Sequence, residues 1–195
     1  WNIQFSKSPN TYQLFFQSLD MISILSKAYL IVGDKNYLFQ AKKILKNWVD
    51  FECCIESKNN TMVWNDHGTA MRVRNIIYYV LVMVNANALS KFEIIELKNL
   101  IERHALYLTD DRRYSYNHNH GIFQDQALLF CGYILNNDNS EVYIKHAKER
   151  LRTQIKYALN SEKVHVENSS SYHVGILSVF VEILEFLIQF NRDDS

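Results

Sequence analysis

Six consecutive residues, Tyr116-Asn117-His118-Asn119-His120-Gly121, set two imidazoles beside two carboxamides where a loop pattern gives way to a helical one. A second polar cluster, Glu167-Asn168-Ser169-Ser170-Ser171-Tyr172-His173, opens another helical pattern about fifty residues later. Two such clusters at two helix starts read as halves of one site. Brought together, they surround a ligand with amide, imidazole and phenol groups. That set suits removal of a proton next to a carboxylate: the donors neutralise the carboxylate and the phenol moves protons.

Each half also has a plainer reading. Asn119 is a plausible N-cap for the helix that follows, and the first turn of that helix leaves N–H groups and the positive dipole end for an anion. The plainer alternative is that Asn119 only caps and His120 lies on the surface. Tyr172 can point its phenol into the polar end of the molecule, and a nearby cation or imidazole eases its ionisation. The alternative is an aromatic residue packing at a helix start. A third segment runs from Trp64 through Asn65, Asp66, His67, Gly68, Thr69, Ala70 and Met71 to Arg72, with Arg74 beyond it. Trp faces stack on sugar rings and Arg forks onto carboxylates. Equally, Trp64 can anchor the loop while Arg72 pairs with Asp66. Arg112 and Arg113 precede the Asn-His loop and can hold an anionic sugar or remain solvated.

Other chemistries lack their signatures. His118 and His120 are two residues apart, a spacing suited to a strand rather than a helix start, with His165 and His173 further on. No HExxH motif or Cys pair supports a metal site, and no cofactor is expected. There is no Gly-rich phosphate loop and no GxSxG nucleophile turn. Cys53, Cys54 and Cys131 form no disulfide framework and read as buried small hydrophobes. With 21 basic and 21 acidic residues the chain lacks the basic excess of a nucleic-acid or membrane-surface partner. No uninterrupted apolar run reaches the length of a membrane span. The sequence starts at Trp1 rather than Met, so it reads as a piece of a longer protein, and no signal peptide is visible.

The elements that must hold these residues are helical. Hydrophobic residues make up 48% of the 195 positions, enough for one domain with a core, and only 5 Gly and 1 Pro interrupt them. Phe15, Leu19, Ile22 and Tyr29 predict a first helix over about residues 10–32, ended by Gly33-Asp34. Tyr37, Ala41, Ile44, Leu45 and Trp48 line a second. A third, over 69–84, is apolar on almost all sides and so is expected to be buried. Ser90 and Glu93 form a capping box for a fourth, with Ile94, Leu97, Ile101, Ala105 and Leu108 on one face. Phe123, Ala127, Phe130, Cys131 and Ile134 mark a fifth. Asn139-Ser140 can cap a sixth, whose inner face is Tyr143, Ala147, Leu151, Ile155 and Ala158. The last spans about 172–190. Seven helices on short links imply antiparallel hairpins, stacked as a solenoid or a curved toroid. The longer polar links, 56–68, 109–120 and 160–171, alternate with tight turns near 33–34, 86–90 and 136–140. Alternation puts the polar links at one end, the natural place for a site.

Together, the Asn-His-Gly loop, the Glu-x-Ser-x-x-Tyr-His cluster and the Trp-x-Asp-His-x-Thr-Ala-x-Arg segment resemble the N-terminal α/α toroid of heparinase II/III-type polysaccharide lyases, whose relatives include alginate and oligoalginate lyases. The resemblance covers essentially the whole chain. It implies an all-α fold, an incomplete toroid of antiparallel hairpins with about seven helices, occupying residues 1–195 as a single domain. It implies cleavage of uronic-acid polysaccharides by β-elimination, in the periplasm or outside the cell. Asn119 and His120 would bind and neutralise the uronate carboxylate. Tyr172 would protonate the departing O4 and, in some members, also take the C5 proton. Trp64, His67, Arg72, His118, Glu167 and His173 would contact or support the substrate. The family adds a C-terminal β-sandwich that supplies a further histidine. This chain has no strand-rich region, so it is expected to need that partner domain and to have little activity alone. Zero net charge fits a carboxylated polymer better than a highly sulfated one.

Two readings from other classes compete: a non-catalytic carbohydrate-binding toroid serving capsule or exopolysaccharide assembly, and a helical scaffold for a protein partner. A glycoside hydrolase would need two facing carboxylates, for which Asp66, Asp125 and Glu167 are the nearby candidates.

Overall fold

The computed structural model describes residues 1–3, 7–166 and 169–191. Among them the chain forms eight α-helices: α1 (Pro9–Gln17), α2 (Asp20–Val32), α3 (Asn36–Glu52), α4 (Asp66–Asn85), α5 (Lys91–Thr109), α6 (Asn119–Leu135), α7 (Ser140–Ala158) and α8 (Ser170–Asn191). Short 3-10 turns occupy Ile55–Asn59 and Asp111–Arg113. The helices pair as hairpins in two layers. In one layer α2, α4, α6 and α8 follow one another; in the other, α3, α5 and α7 pack against them.

Eight helices replace the expected seven because the first pattern breaks. Leu19 takes a left-handed conformation (φ 59°), and α1 and α2 meet at a 45° bend. A bulky residue tolerates that backbone only when packing imposes it, and Leu19 is fully buried. The Ser18 hydroxyl donates to the Phe15 carbonyl at 2.7 Å and finishes α1. The other boundaries follow sequence chemistry. Gly33 ends α2 at φ 78°. Ser90 and Glu93 form both bonds of the expected capping box. At α7 the cap differs from expectation: Asn139 makes no side-chain cap bond, and Asn137 Oδ1 instead accepts from the Asn139 N–H and the Ser140 hydroxyl.

Apolar spacing predicts most of the core. Leu38, Ala41, Leu45 and Trp48 of α3 and Leu100, Ile101, Ala105 and Leu108 of α5 are buried, as are Val73, Ile76, Ile77 and Tyr79 of α4. In α7 the buried face is turned slightly: Ile155 is exposed, while Arg150 and Gln154 are buried with Tyr143, Ala147 and Leu151. Cys131 is buried, but Cys53 and Cys54 are exposed at the end of α3, because the helix stops there and its apolar face does not extend to them.

α8 departs from the expectation that no segment could span a bilayer. Ser170–Phe190 is 21 residues with a mean hydropathy of 1.7, long and apolar enough to cross a membrane by length and composition, and 17% of it is buried. Glu182 and Glu185 interrupt the apolar run in sequence without cancelling its average. Here α8 packs Ile176, Val179 and Ile183 into the core and leaves Val174, Leu177, Val181, Leu184 and Ile188 exposed. Glu182 ties it inward, accepting from Arg74 at 2.5 Å and Gln126 at 2.9 Å.

Candidate functional site

The link before α4, the link before α6 and the link before α8 converge at one end of the array. Three side-chain bonds establish this. The Asp66 carboxylate, in the first turn of α4, accepts from the Ser115 hydroxyl at 2.6 Å and lies 3.0 Å from His120 Nδ1. On the other side, Asn119 Oδ1 lies 2.9 Å from Nε2 of His165. The His165 ring in turn lies parallel to that of Tyr172, 6.3 Å away at 15°. Asn119, His120 and Tyr172 are thus gathered around one edge, with His165 between the two halves.

Local chemistry sets the helix starts. Asn65 caps α4, accepting from the His67 and Gly68 N–H groups at 3.1 Å each. His118, not Asn119, caps α6: its Nδ1 accepts the His120 N–H at 3.1 Å. Asn119 is therefore the first helical residue, and its side chain is turned to His165. A cap with an imidazole acceptor requires His118 to be deprotonated at Nδ1. Gly121 permits the close approach beneath the loop, since a Cβ there would overlap Gln154 Nε2 and the Ser115 carbonyl. Gln154 donates to that carbonyl at 3.0 Å, and Gln124 accepts the Ser115 N–H at 2.9 Å while donating to the Arg113 carbonyl at 2.9 Å. The loop carrying the histidines is thus clamped from below by α6 and α7.

The histidines form a file. The His120 ring stands edge-on to His67 and to His118, 4.3 Å from each. His67 also packs on Phe123 at 4.9 Å. Burial, then neighbouring His120, pushes His67 down to about 4, so its imidazole is neutral at pH 7. Burial alone would raise the Asp66 carboxyl. Hydrogen bonds from His120 and Ser115, with the His67 N–H, outweigh it and hold Asp66 well below the usual carboxylate range.

Behind the loop lies a second buried cluster. The Tyr114 hydroxyl donates to Asp125 at 2.5 Å and accepts from Gln154 at 3.0 Å. The Arg150 guanidinium covers the Tyr114 ring at 4.0 Å and donates to the Leu108 and Thr109 carbonyls and to Asp111. Burial pushes Asp125 up to about 8 despite Tyr114 and Arg150, so it is largely protonated at neutral pH.

Several expected site residues lie elsewhere. Arg72 has no exposed surface. Its guanidinium packs against Trp48 at 4.3 Å and Trp64 at 5.2 Å and donates to His104 Nε2 at 2.9 Å and the Gln17 carbonyl at 3.0 Å. A substrate contact does not fit a side chain enclosed in this way, and the alternative pairing with Asp66 is absent too. Trp64 is half-buried in the same cluster, stacked near His104 and Tyr107, with its Nε1 donating to Glu52 at 3.2 Å. It anchors the start of α4 rather than forming an open platform. Arg112 forks onto Asp110 at 2.9 and 2.8 Å, and Arg113 covers Tyr107 at 4.4 Å. His173 is half-buried on α8, with no ring contact to the file among the described residues. Glu167 and Asn168 lie outside the described residues. Asp66 is bound to His120 and Ser115, and Asp125 is fully buried on Tyr114, so these two do not face each other across a cleft. Among the described residues no group of three or more His, Cys, Asp or Glu side chains is placed to hold a metal ion.

Sequence reasoning assigned no site role to His165 or Ser115, and met Asp66 only as a counter-ion or hydrolase acid. His165 had a faint signal. Asn160 Oδ1 accepts from the Glu162 and Val164 N–H groups at 2.9 Å each, a turn-forming Asn that folds the link back and pairs Leu159 with His165 in an isolated bridge.

A two-layered array of helical hairpins with one polar end of this kind is the helical toroid type of fold found in heparinase-like lyases. The chain belongs to the family described as heparinase II/III N-terminus, whose model matches residues 1–195. Two solved structures share its fold. One, a mutant of the heparan sulfate lyase HepC from Pedobacter heparinus, is 21% identical with a TM-score of 0.75, covering 94% of this chain and 28% of that one. The other, HepC of the same organism, is also 21% identical with a TM-score of 0.75, covering 90% and 28%. The chain thus spans little more than a quarter of their length. No curated protein matches it.

Proposed function

We propose that this chain is the substrate-capturing helical part of a polysaccharide lyase that cleaves uronic-acid-containing polymers by β-elimination. The observation that carries the reading is the meeting of Asn119 and His120, at the start of α6, with Tyr172, at the start of α8, through His165. In this reading the uronate carboxylate sits at the α6 N-terminus, where Asn119, His120 and the helix dipole offset its charge. Neutralisation makes the neighbouring C5 proton acidic. A base removes that proton, the C4–C5 double bond forms, the C4–O4 bond breaks, and O4 leaves with a proton. Tyr172, half-exposed, is the acid for O4 and a candidate base for C5. His67 and His118 support His120 by packing rather than by charge. A β-sandwich domain elsewhere in the longer protein would close the cleft and supply a further histidine, so residues 1–195 act as one domain with little activity alone.

The substrate we favour is a carboxylated polymer such as alginate or a bacterial exopolysaccharide. Net charge is zero, Arg72 is enclosed, and the exposed Arg112 and Arg113 are already paired with Asp110, which leaves little to meet dense sulfation.

The test uses the full-length protein with a panel of uronate polymers that includes alginate and heparan sulfate. Absorbance of the new C4–C5 double bond reports elimination. A rise on a carboxylated polymer, cut at least about 100-fold in Tyr172→Phe and in Asn119→Ala, is the expected result. Binding without any rise would replace the lyase with a carbohydrate-binding module. Neither signal would leave a protein-binding scaffold.

A further inference from the structure

Of the three rings in the histidine file, only His120 touches a carboxylate among the described residues. His118 uses Nδ1 as an acceptor for the cap of α6, and His67 Nδ1 is buried without a hydrogen-bond partner among the described residues. His120 Nδ1 lies 3.0 Å from Asp66 Oδ2. Asp66 is itself fixed. It opens α4, where the dipole favours a negative charge, and its Oδ2 accepts a second bond, from Ser115 at 2.6 Å. The Ser115 backbone is held by Gln124 and Gln154. A carboxylate so anchored accepts the Nδ1–H of an imidazole and leaves Nε2 as the other functional atom, in the way outer carboxylates fix histidines in many sites.

We infer that Asp66 is a positioning residue for His120: it fixes the Nδ1–H tautomer and presents Nε2 toward the ligand. The groups surrounding His120 agree with this assignment. From α4 come Asp66 and His67, with Arg74 two turns further along the helix. From the loop comes His118, where a proton would destroy the cap and place positive charge at the positive end of α6. Beyond Asn119 lie His165 from the following link and Tyr172 from α8. Asp66 is the nearest anion in this set. A ring held over a carboxylate can carry the positive charge that a uronate needs opposite it, and Ser115 keeps that carboxylate in place while the charge changes. The consequence for turnover rests on the lyase reading. The tautomer does not.

The experiment therefore needs no sugar. The protein is labelled with 15N-histidine, and its ring nitrogens are followed by long-range 1H–15N spectra from pH 5 to pH 8. His120 is expected as the Nδ1–H tautomer when neutral. Asp66→Ala, which removes the acceptor, is expected to turn the neutral His120 ring mainly to the Nε2–H tautomer, with the circular dichroism spectrum unchanged. A neutral His120 found as the Nε2–H tautomer in the unaltered protein overturns the inference without recourse to any variant. So does a tautomer that Asp66→Ala leaves in place. An elimination assay that fails while these spectra come out as expected would count against the lyase and leave Asp66 in its role.

Discussion

Arg72 shows how far one residue's role depends on its surroundings. A guanidinium near Trp and His at a helix start is what a sugar-acid site uses, yet here it fills the centre of the molecule between Trp48 and Trp64. Its contacts are two aromatic faces, a histidine nitrogen and a main-chain carbonyl, and no carboxylate lies in ion-pair range among the described residues. Arg72→Lys keeps the charge but loses the fork and the stacking. It is expected to lower unfolding stability by about 3 kcal/mol, read by urea denaturation, and to leave ligand affinity of the folded fraction unchanged. The buried ionisable groups also set the pH response. Burial lowers His67 and His104, so the unfolded chain binds more protons than the folded one below pH 6.5. Stability contributed by these two falls as pH drops from there. Asp125, raised by burial to about 8, works in the opposite sense: the folded form keeps a proton that the unfolded form has lost, so stability falls as pH rises toward 8. Two histidines outweigh one aspartic acid below pH 6.5, and the aspartic acid acts alone above it. The melting temperature is expected to peak near pH 6.5, and Asp125→Asn should flatten the decline between pH 6.5 and 8.

At the scale of elements, the clamp under the histidine loop is the sensitive point. Gly121→Ala would push a methyl into the Ser115 carbonyl and Gln154. A backbone atom cannot yield as a flexible side chain does, so a loss of about 1–3 kcal/mol is expected, together with loss of the Asp66–His120 contact in histidine spectra. α8 is sensitive in another way. Its inward anchors are Ile176, Val179 and Ile183, the stack of Phe186 on Phe130, and Glu182, which joins Arg74 and Gln126. Glu182→Gln is expected to accelerate amide exchange in α8 at least about tenfold while leaving α6 protected. Much of this scale was legible in the sequence. Apolar spacing and the Ser90–Glu93 box are local signals, and they located nearly every helix. The break at Leu19 was not legible, because a positive φ at a leucine is imposed by packing that no neighbouring residue announces. The turned face of α7 was missed for a related reason: Arg150 and Gln154 read as surface residues until the loop they clamp lies against them.

For the whole molecule, alternation of long polar links with tight turns was enough to predict that the polar links share one end, and the contact between Asp66 and His120 shows them meeting there. Asn119, His120 and Tyr172 stood out as candidates because each stands in a cluster of polar residues at a helix start. His165 could not, since its partner Asn119 is 46 positions away and a single histidine between valines carries no pattern. Arg72 and Trp64 were misplaced because an aromatic residue with a cation has the same sequence signature in a core as in a sugar site. That misplacement has a practical side. Trp64 stands two residues before Asp66, and its carbonyl accepts from the Tyr107 hydroxyl at 2.5 Å. Together with Trp48 it flanks the enclosed Arg72, so two of the three tryptophans in this sequence lie against one buried guanidinium near the start of α4. Engagement of His120 by a uronate should therefore alter the intrinsic fluorescence with no label attached. Trp64→Phe should silence that change, giving a binding titration that proceeds whether or not any bond is cut.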